Sequence, residues 1–384
     1  MEQTSPPPKA PVRAPGIALG RVLGVPVHLH TSVALLALLV TVMYGELVRG
    51  LLDLSAVAGY VAGFGFVLCL LGSVLLHELG HALTARHFGI GVRGITLELL
   101  GGYTEMDRDA PSPRVDLLVS LAGPAVSFVL GLAAIGVTVA LPSQGLAYQF
   151  AFQLAVSNVL VAVFNSLPGL PLDGGRALRA GVWAITRDRH LGTEVAGKVG
   201  RGLAVGTAAL VVWLVLIDWL RPVALPLVLL VAFTLWRGAG QAVQSARLGR
   251  RFPLIDLAAL ARPVFTVAGG TPLAEAQRRA AEAGRGDDVI GVADSAGRLI
   301  ALVDRTAAEA VPEQRRPWLA VDSVARDVGK LPVIPLGADG EHVIETVRAH
   351  PGAQYAVTSG ENIVGVLHIT DLVQFLEPRR KMTK

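Results

Sequence analysis

His77-Glu78-Leu79-Gly80-His81 sets two imidazoles four residues apart, with a carboxylate beside the first. On a helix, residues i and i+4 stand one above the other on one face with Cβ atoms about 5–6 Å apart, which suits two cis ligands on one divalent ion. Glu78 then lies next to the metal, where it could take a proton from a water that the metal activates. These residues follow directly on an apolar run from Ala56 to Leu76, long enough to cross a bilayer. Strongly polar groups at bilayer depth cost about 2.5–3.5 kcal/mol each on insertion scales, so three retained together point to a function. The chemistry implied is metal-assisted hydrolysis within a membrane.

The elements that must position these groups are apolar helices. With 384 residues, 52% of them hydrophobic, and a mean hydropathy of +0.54, the chain is too apolar to be wholly soluble. Apolar runs cover Thr31 to Leu47, Ala56 to Leu76, Leu117 to Leu141, Phe150 to Leu167, Val199 to Ile217 and Val223 to Trp236, which predicts six crossings. If the N-terminus is cytoplasmic, seventeen Lys and Arg flank the inner ends, from Lys9 and Arg13 to Arg250 and Arg251, and only Arg49 and Arg221 fall outside. That bias predicts both termini in the cytoplasm. It also accounts for the net charge of +4 without a nucleic-acid partner. The Pro-rich opening lacks the pattern of a removable signal peptide. The one cysteine, Cys69, lies in an apolar run and excludes an intrachain disulfide.

A catalytic zinc takes three protein ligands and leaves a fourth position to water, so His77 and His81 need a partner. In Asn165-Ser166-Leu167-Pro168-Gly169-Leu170-Pro171-Leu172-Asp173-Gly174-Gly175-Arg176 an apolar crossing is broken by Pro168, Gly169 and Pro171, and Asp173 stands where a new helix could begin. Such breaks are tolerated at membrane depth only where protein or a water-filled cavity satisfies the freed backbone. Spans two and four run in the same direction, so His77, His81 and Asp173 reach the cytoplasmic end at one depth. Asp173 could instead be a plain helix cap; the shared level and the missing ligand favour coordination. His28 and His30 precede the first crossing and His87 points to another helix face, so all three are left out of the site.

With these residues in view, the chain resembles the site-2 proteases, intramembrane zinc metalloproteases, and in particular the branch with six crossings and a C-terminal CBS module. The likeness rests on His77-Glu78-Leu79-Gly80-His81 together with Asn165, Pro168, Pro171 and Leu172-Asp173-Gly174. It implies one Zn2+ per chain held by His77, His81 and Asp173, with Glu78 as general base and Asn165 positioning the scissile peptide or polarising its carbonyl. Ile95 to Met106, an alternating stretch with the pair Gly101-Gly102, resembles the family's membrane-dipping hairpin, whose strand edge receives substrate. A helical peptide bond is shielded by its own hydrogen bonds, so a transmembrane substrate must unwind and can then pair with an exposed edge. Tyr103 stands where family members often carry a small apolar residue.

Beyond Arg251 the composition becomes that of a soluble α/β domain built from two similar units 64 residues apart. Helix Leu273 to Ala283 precedes strands Val289 to Asp294 and Arg298 to Asp304; helix His342 to Ala349 precedes strands Gln354 to Thr358 and Asn362 to His368. The order resembles tandem CBS repeats, which often bind adenosine-containing nucleotides. The usual Gly, Thr or Ser, and Asp series reads Gly365, His368, Asp371 in the second repeat and Ala301, Asp304, Ala307 in the first. Asp371 is therefore the one candidate nucleotide-binding residue.

The expected chain is a multi-pass α-helical membrane protein with a C-terminal soluble α/β tandem CBS domain. Its parts are a flexible tail over 1–20, a transmembrane metalloprotease domain over 21–245 and the CBS domain over 252–384. The function expected from the resemblance is hydrolysis of peptide bonds in or near transmembrane segments of membrane-protein substrates, in regulated intramembrane proteolysis at the cell membrane. Regulation would come from the CBS domain, through which the chain could form a homodimer. A CBS-gated transporter or channel fits less well, because a path would place polar groups along a whole crossing and here they cluster at one end. An inactive relative that only binds membrane proteins is a further alternative.

Overall fold

The computed structural model describes residues 16–376 except 100, 144, 221, 223, 224 and 361. The chain divides between Arg247 and Leu248 into two compact units.

The first unit begins with strands β1 (Ile17–Val22) and β2 (Val25–Leu29), followed by helices α1 (Val33–Leu52) and α2 (Ala56–His87). Strands β3 (Val92–Glu98) and β4 (Gly101–Met106) lead into α3 (Pro113–Ala140), α4 (Leu146–Asn165), α5 (Asp173–Thr186), α6 (Arg189–Leu216) and α7 (Leu225–Gly249). The four strands form one sheet in the order β1-β2-β3-β4: two antiparallel hairpins joined by the parallel pair β2/β3, which leaves β4 on an edge. The β3/β4 hairpin matches the expected one, although Leu100 at its turn lies outside the described residues. Residues 1–15 also lie outside them, but Ile17 to Gly20, expected to be flexible tail, belong to β1. They pair there with the apolar strand Val25–Leu29.

Among the described residues five helices are long and apolar enough to cross a membrane: α1, α2, α3, α4 and α6. The sixth expected crossing starts at Val223, which is not described, and continues in α7, which is not among the five. The apolar part of α7, Leu225 to Trp236, would rise only about 18 Å, against a hydrocarbon core of about 30 Å. Arg237, Gln241, Gln244 and Arg247 follow it.

Local sequence explains where the long helices start and how closely they pack. Ser55 accepts from the Ala58 amide to cap α2, and Ser112 caps α3 with Pro113 in its first turn. Gly45 and Gly59 face each other where α1 crosses α2, and a Cβ on either would come within 2.9 Å of the other's carbonyl oxygen. Small residues thus bring these backbones together as apolar packing in lipid requires. A cluster of Tyr44, Phe66 and Phe150 joins α1, α2 and α4.

The second unit holds seven strands in one mixed sheet, ordered β8-β7-β6-β5-β11-β10-β9. They are β5 (Arg262–Ala268), β6 (Val289–Ala293), β7 (Leu299–Val303), β8 (Ala325–Asp327), β9 (Val333–Pro335), β10 (Gln354–Ser359) and β11 (Asn362–His368). The helices are α8 (Leu257–Leu260), α9 (Leu273–Glu282), α10 (Arg305–Ala310), α11 (Gly340–Ala349) and α12 (Ile369–Leu376). Two copies of strand, helix, antiparallel strand pair and helix are present, β5-α9-β6-β7-α10 and β9-α11-β10-β11-α12, as the internal repeat predicts. Each has its own core, Val267, Leu273, Val292 and Val321 in the first and Ile334, Val343, Tyr355 and Leu367 in the second.

Ile334 is fully buried at the centre of the second core and pairs with Val357 across β9/β10. Ile334→Ala is expected to destabilise this unit by about 2–5 kcal/mol. Hydrogen exchange measured on the full chain should then show faster exchange in β10, with the amides of β3 unchanged.

Candidate metal centre

Helix α2 carries the first two ligands without interruption. His77 and His81 stand on one face, 5% and 3% exposed, with their rings edge to face at 5.0 Å. The third comes from the break after α4. That helix ends at Asn165, and Ser166 to Leu172 form a tight turn whose Leu170–Pro171 bond is cis. The Leu170 amide donates to the Ala196 carbonyl, which ties the turn to α6. Gly174 and Gly175 are required by contact: a Cβ at Gly174 would overlap the Ser166 and Leu167 carbonyls, and one at Gly175 the Leu170 amide. The turn therefore lies flat on the start of α5. Leu172 occupies the cap position and Asp173 is the first helical residue, so its carboxylate is not spent as a cap.

The carboxylate meets both imidazoles. Asp173 Oδ2 lies 3.2 Å from His77 Nε2 and 3.2 Å from His81 Nε2, and the two Nε2 atoms are 3.3 Å apart. Four-coordinate zinc with bonds of about 2.0–2.1 Å has ligand-to-ligand distances of about 3.3–3.4 Å, so the three atoms occupy corners of a tetrahedron of the right size. The other ring nitrogens bear on the tautomers. His81 Nδ1 is 2.7 Å from the Val119 carbonyl, which can only accept; Nδ1 therefore carries a proton, and in the neutral ring Nε2 turns a lone pair toward Asp173. His77 Nδ1 is 2.9 Å from Ser127 Oγ. With both rings neutral, as metal ligands must be, their electron pairs converge with the carboxylate on one point, and a donor set of two imidazoles and one carboxylate suits zinc.

Glu78 is 5% exposed, and its Oε2 accepts from Thr104 Oγ1 at 2.7 Å. Thr104 lies on β4, and a Cβ at Gly102 would approach Glu78 Cγ to 2.9 Å, so the hairpin packs directly on the carboxylate. A cavity of about 280 Å³ is lined by His77, Glu78, His81, Gly101, Gly102, Asn165 and Asp173, together with Tyr103, Asn158 and Arg176. The structure thus gathers every site residue expected in the first unit. His28 and His30 on or after β2, and His87 at the end of α2, stay outside the cluster as expected.

Several contributors escaped the sequence reading. Val119 acts through its carbonyl, which carries no signal in its residue type. Ser127 and Gly123 look like ordinary small residues of an apolar helix, yet a Cβ at Gly123 would overlap Nε2 of His81 and come within 2.6 Å of Nε2 of His77. Asp116 did carry a signal, a lone carboxylate at the start of an apolar run, which demands a partner. That partner is Arg179, whose Nε and Nη2 donate to it at 2.9 and 2.6 Å.

In the second unit Asp371 is held by Arg262, which donates from Nε and Nη2 at 2.8 and 2.9 Å. Arg262 and His368 line a cleft of about 180 Å³ with Gln277 and Gln354. The Arg262 guanidinium holds the Asp371 carboxyl below the usual carboxylate range. A lowered folded value gives stability that is present above the unfolded pKa, about 3.9, and lost as pH falls through the folded one.

Residues 65–156 match Peptidase family M50. A protein of Mycobacterium tuberculosis designated zinc metalloprotease Rip3 is 29% identical over 95% of this chain and 93% of its own. One of Synechocystis designated zinc metalloprotease sll0528 is 37% identical over 53% of this chain; the match spans 57% of that relative's length. The site-2 protease of Methanocaldococcus jannaschii is a structural neighbour at TM-score 0.43 and 27% identity, covering 59% of this chain and 94% of that one. The CBS domain of a bacterial CNNM/CorC family Mg2+ transporter is another, at TM-score 0.28 and 12% identity, covering 42% of this chain and 98% of that one.

Two outcomes are expected. Gly123→Ala should reduce bound zinc in the purified protein well below one per chain, read by elemental analysis, because the imidazoles cannot keep their places. Asp371→Asn should lower the melting temperature of the second unit at pH 7, and the difference from the parent should shrink as pH falls below about 4. With an M50 match over residues 65–156, zinc metalloprotease relatives along most of its length and a His77/His81/Asp173 cluster of zinc-site dimensions, the chain is similar to the zinc metalloproteases of Peptidase family M50.

Proposed function

We propose that this chain hydrolyses peptide bonds in or near transmembrane segments of other membrane proteins. The observation that carries the reading is the meeting of His77, His81 and Asp173 at 3.2–3.3 Å beside Glu78, in a cavity bounded by an edge strand. A bound zinc ion would supply Lewis acidity to water and to the scissile carbonyl. His77, His81 and Asp173 hold that ion, and Val119 and Ser127 fix the imidazoles. Glu78 accepts the proton of the attacking water and returns it to the departing amine as the C–N bond breaks. Thr104 aims the Glu78 carboxylate. Asn165, at the end of α4 and on the cavity wall, donates its amide to the substrate backbone.

The substrate class follows from the hairpin. β4 is an edge strand with Gly101, Gly102 and Thr104 on the cavity. An unwound transmembrane segment can add to that edge, replacing the hydrogen bonds it lost on leaving its helix. The distribution of basic residues supports a multi-pass protein of the cell membrane with both termini in the cytoplasm. The second unit then serves as a cytoplasmic regulatory domain of the CBS type that also joins chains into a homodimer. Adenosine nucleotide binding there requires Asp371 to exchange Arg262 for ribose hydroxyls.

Glu78→Gln keeps the size of the side chain and removes its basicity. Purified variant protein should retain one zinc per chain and lose cleavage by at least about 10²-fold. Comparing new protein termini in membranes of cells carrying the parent or the variant would identify substrates; identical termini in the two would refute the proposed activity.

A further inference from the structure

We propose that Asp116 and Arg179 form a positioning clamp that sets Asp173 at bonding distance from the two histidines. The inference rests on reading the cluster as a zinc site. Asp116 is fully buried near the start of α3, and Arg179 grips both of its oxygens with a planar fork. Arg176 adds a longer contact, 3.7 Å from Oδ1.

The placement of the pair gives it a role. On α3, Asp116, Val119, Gly123 and Ser127 recur at steps of three and four, so they share one face of the helix. Val119 and Ser127 orient His81 and His77, and Gly123 lets the backbone of α3 approach both rings. On α5, Asp173, Arg176 and Arg179 likewise share a face at steps of three. One ion pair therefore links the helix that aims the imidazoles to the helix that brings the third ligand. A slide of α5 along α3 by about 1 Å would spoil a site that tolerates about 0.5 Å.

Stability alone does not account for such a pair. Desolvating two charges offsets most of their attraction, and apolar residues of similar volume hold helices together as well or better. A bidentate fork adds what apolar packing lacks, a defined register between two helices.

The test uses the full chain in detergent, comparing the parent with Arg179→Lys, which keeps the charge but loses the fork, and with Arg179→Gln. Phe150→Leu, in the aromatic cluster of α1, α2 and α4, serves as a control for general loosening. Zinc affinity is read by chelator competition, site geometry by visible absorption of the Co2+-loaded protein, and folding by circular dichroism and gel filtration. Both Arg179 variants should fold and bind zinc about 10–100-fold more weakly, with altered Co2+ absorption. Phe150→Leu should lower the melting temperature and leave zinc affinity unchanged. Folded Arg179 variants with the parent's affinity and absorption would overturn the clamp. Failure of both variants to fold would overturn it too, by making the pair a general support of the fold. A parent chain that binds no zinc would remove the metal reading itself.

Discussion

Three electron-rich atoms held within 3.3 Å of one another inside the protein set the terms for the rest of the first unit. A carboxylate oxygen and the lone pairs of two neutral imidazoles repel at that distance, so rigid elements hold the arrangement and a cation, whether a proton or a metal ion, completes it. Helix α2 fixes two of the donors by its own geometry. The third is fixed by a turn whose glycines leave no freedom over how α5 starts, and α3 supplies the groups that aim both rings. Because the ligands must also be deprotonated and aligned, folding and metal affinity become one quantity in this region.

The membrane imposes the second demand. Polar atoms in apolar helices gain from partners within the protein, and several have them here: Asp116 with Arg179, Glu78 with Thr104, and Asn158 with Ser73 and the Leu154 carbonyl. The distance along α2 from Ala56 to His77 is about 32 Å by helical rise, close to one hydrocarbon thickness. A crossing that begins at Ala56 would place the metal cluster at its far end, where water can be supplied from one side. The sheet edge brought against Glu78 by the β3/β4 hairpin places a backbone-pairing surface next to the reacting groups.

Much of this was legible in the sequence, for reasons specific to particular residues. His77 and His81 declare themselves because helix periodicity stacks them, and Asp173 because Pro168 and Pro171 break an apolar run just before it. The internal repeat of the second unit is read from alternating strands and turns, and its element order holds throughout. What stayed hidden was either written in the backbone or visible only in three dimensions. The Val119 carbonyl has no residue signature, and Gly123 is a common small residue until the imidazoles are seen beside it. Strand β1 was missed because the short apolar segment Ile17 to Val22 pairs with a neighbour rather than standing alone. The sixth expected crossing begins at residues that are not described, and its described part, Leu225 to Trp236 of α7, is by itself shorter than one hydrocarbon thickness.

The central claim, that two imidazoles and one carboxylate from distant parts of the chain hold a single zinc ion, is tested most directly by X-ray absorption of the purified, zinc-loaded protein. The account predicts a four-coordinate spectrum with two imidazole nitrogens at about 2.0–2.1 Å and oxygen ligands at about 2.0–2.2 Å. It also predicts that Asp173→Ala removes one oxygen or the metal itself. A sulfur ligand, a six-oxygen shell, or a spectrum unchanged by loss of the Asp173 carboxylate would contradict it.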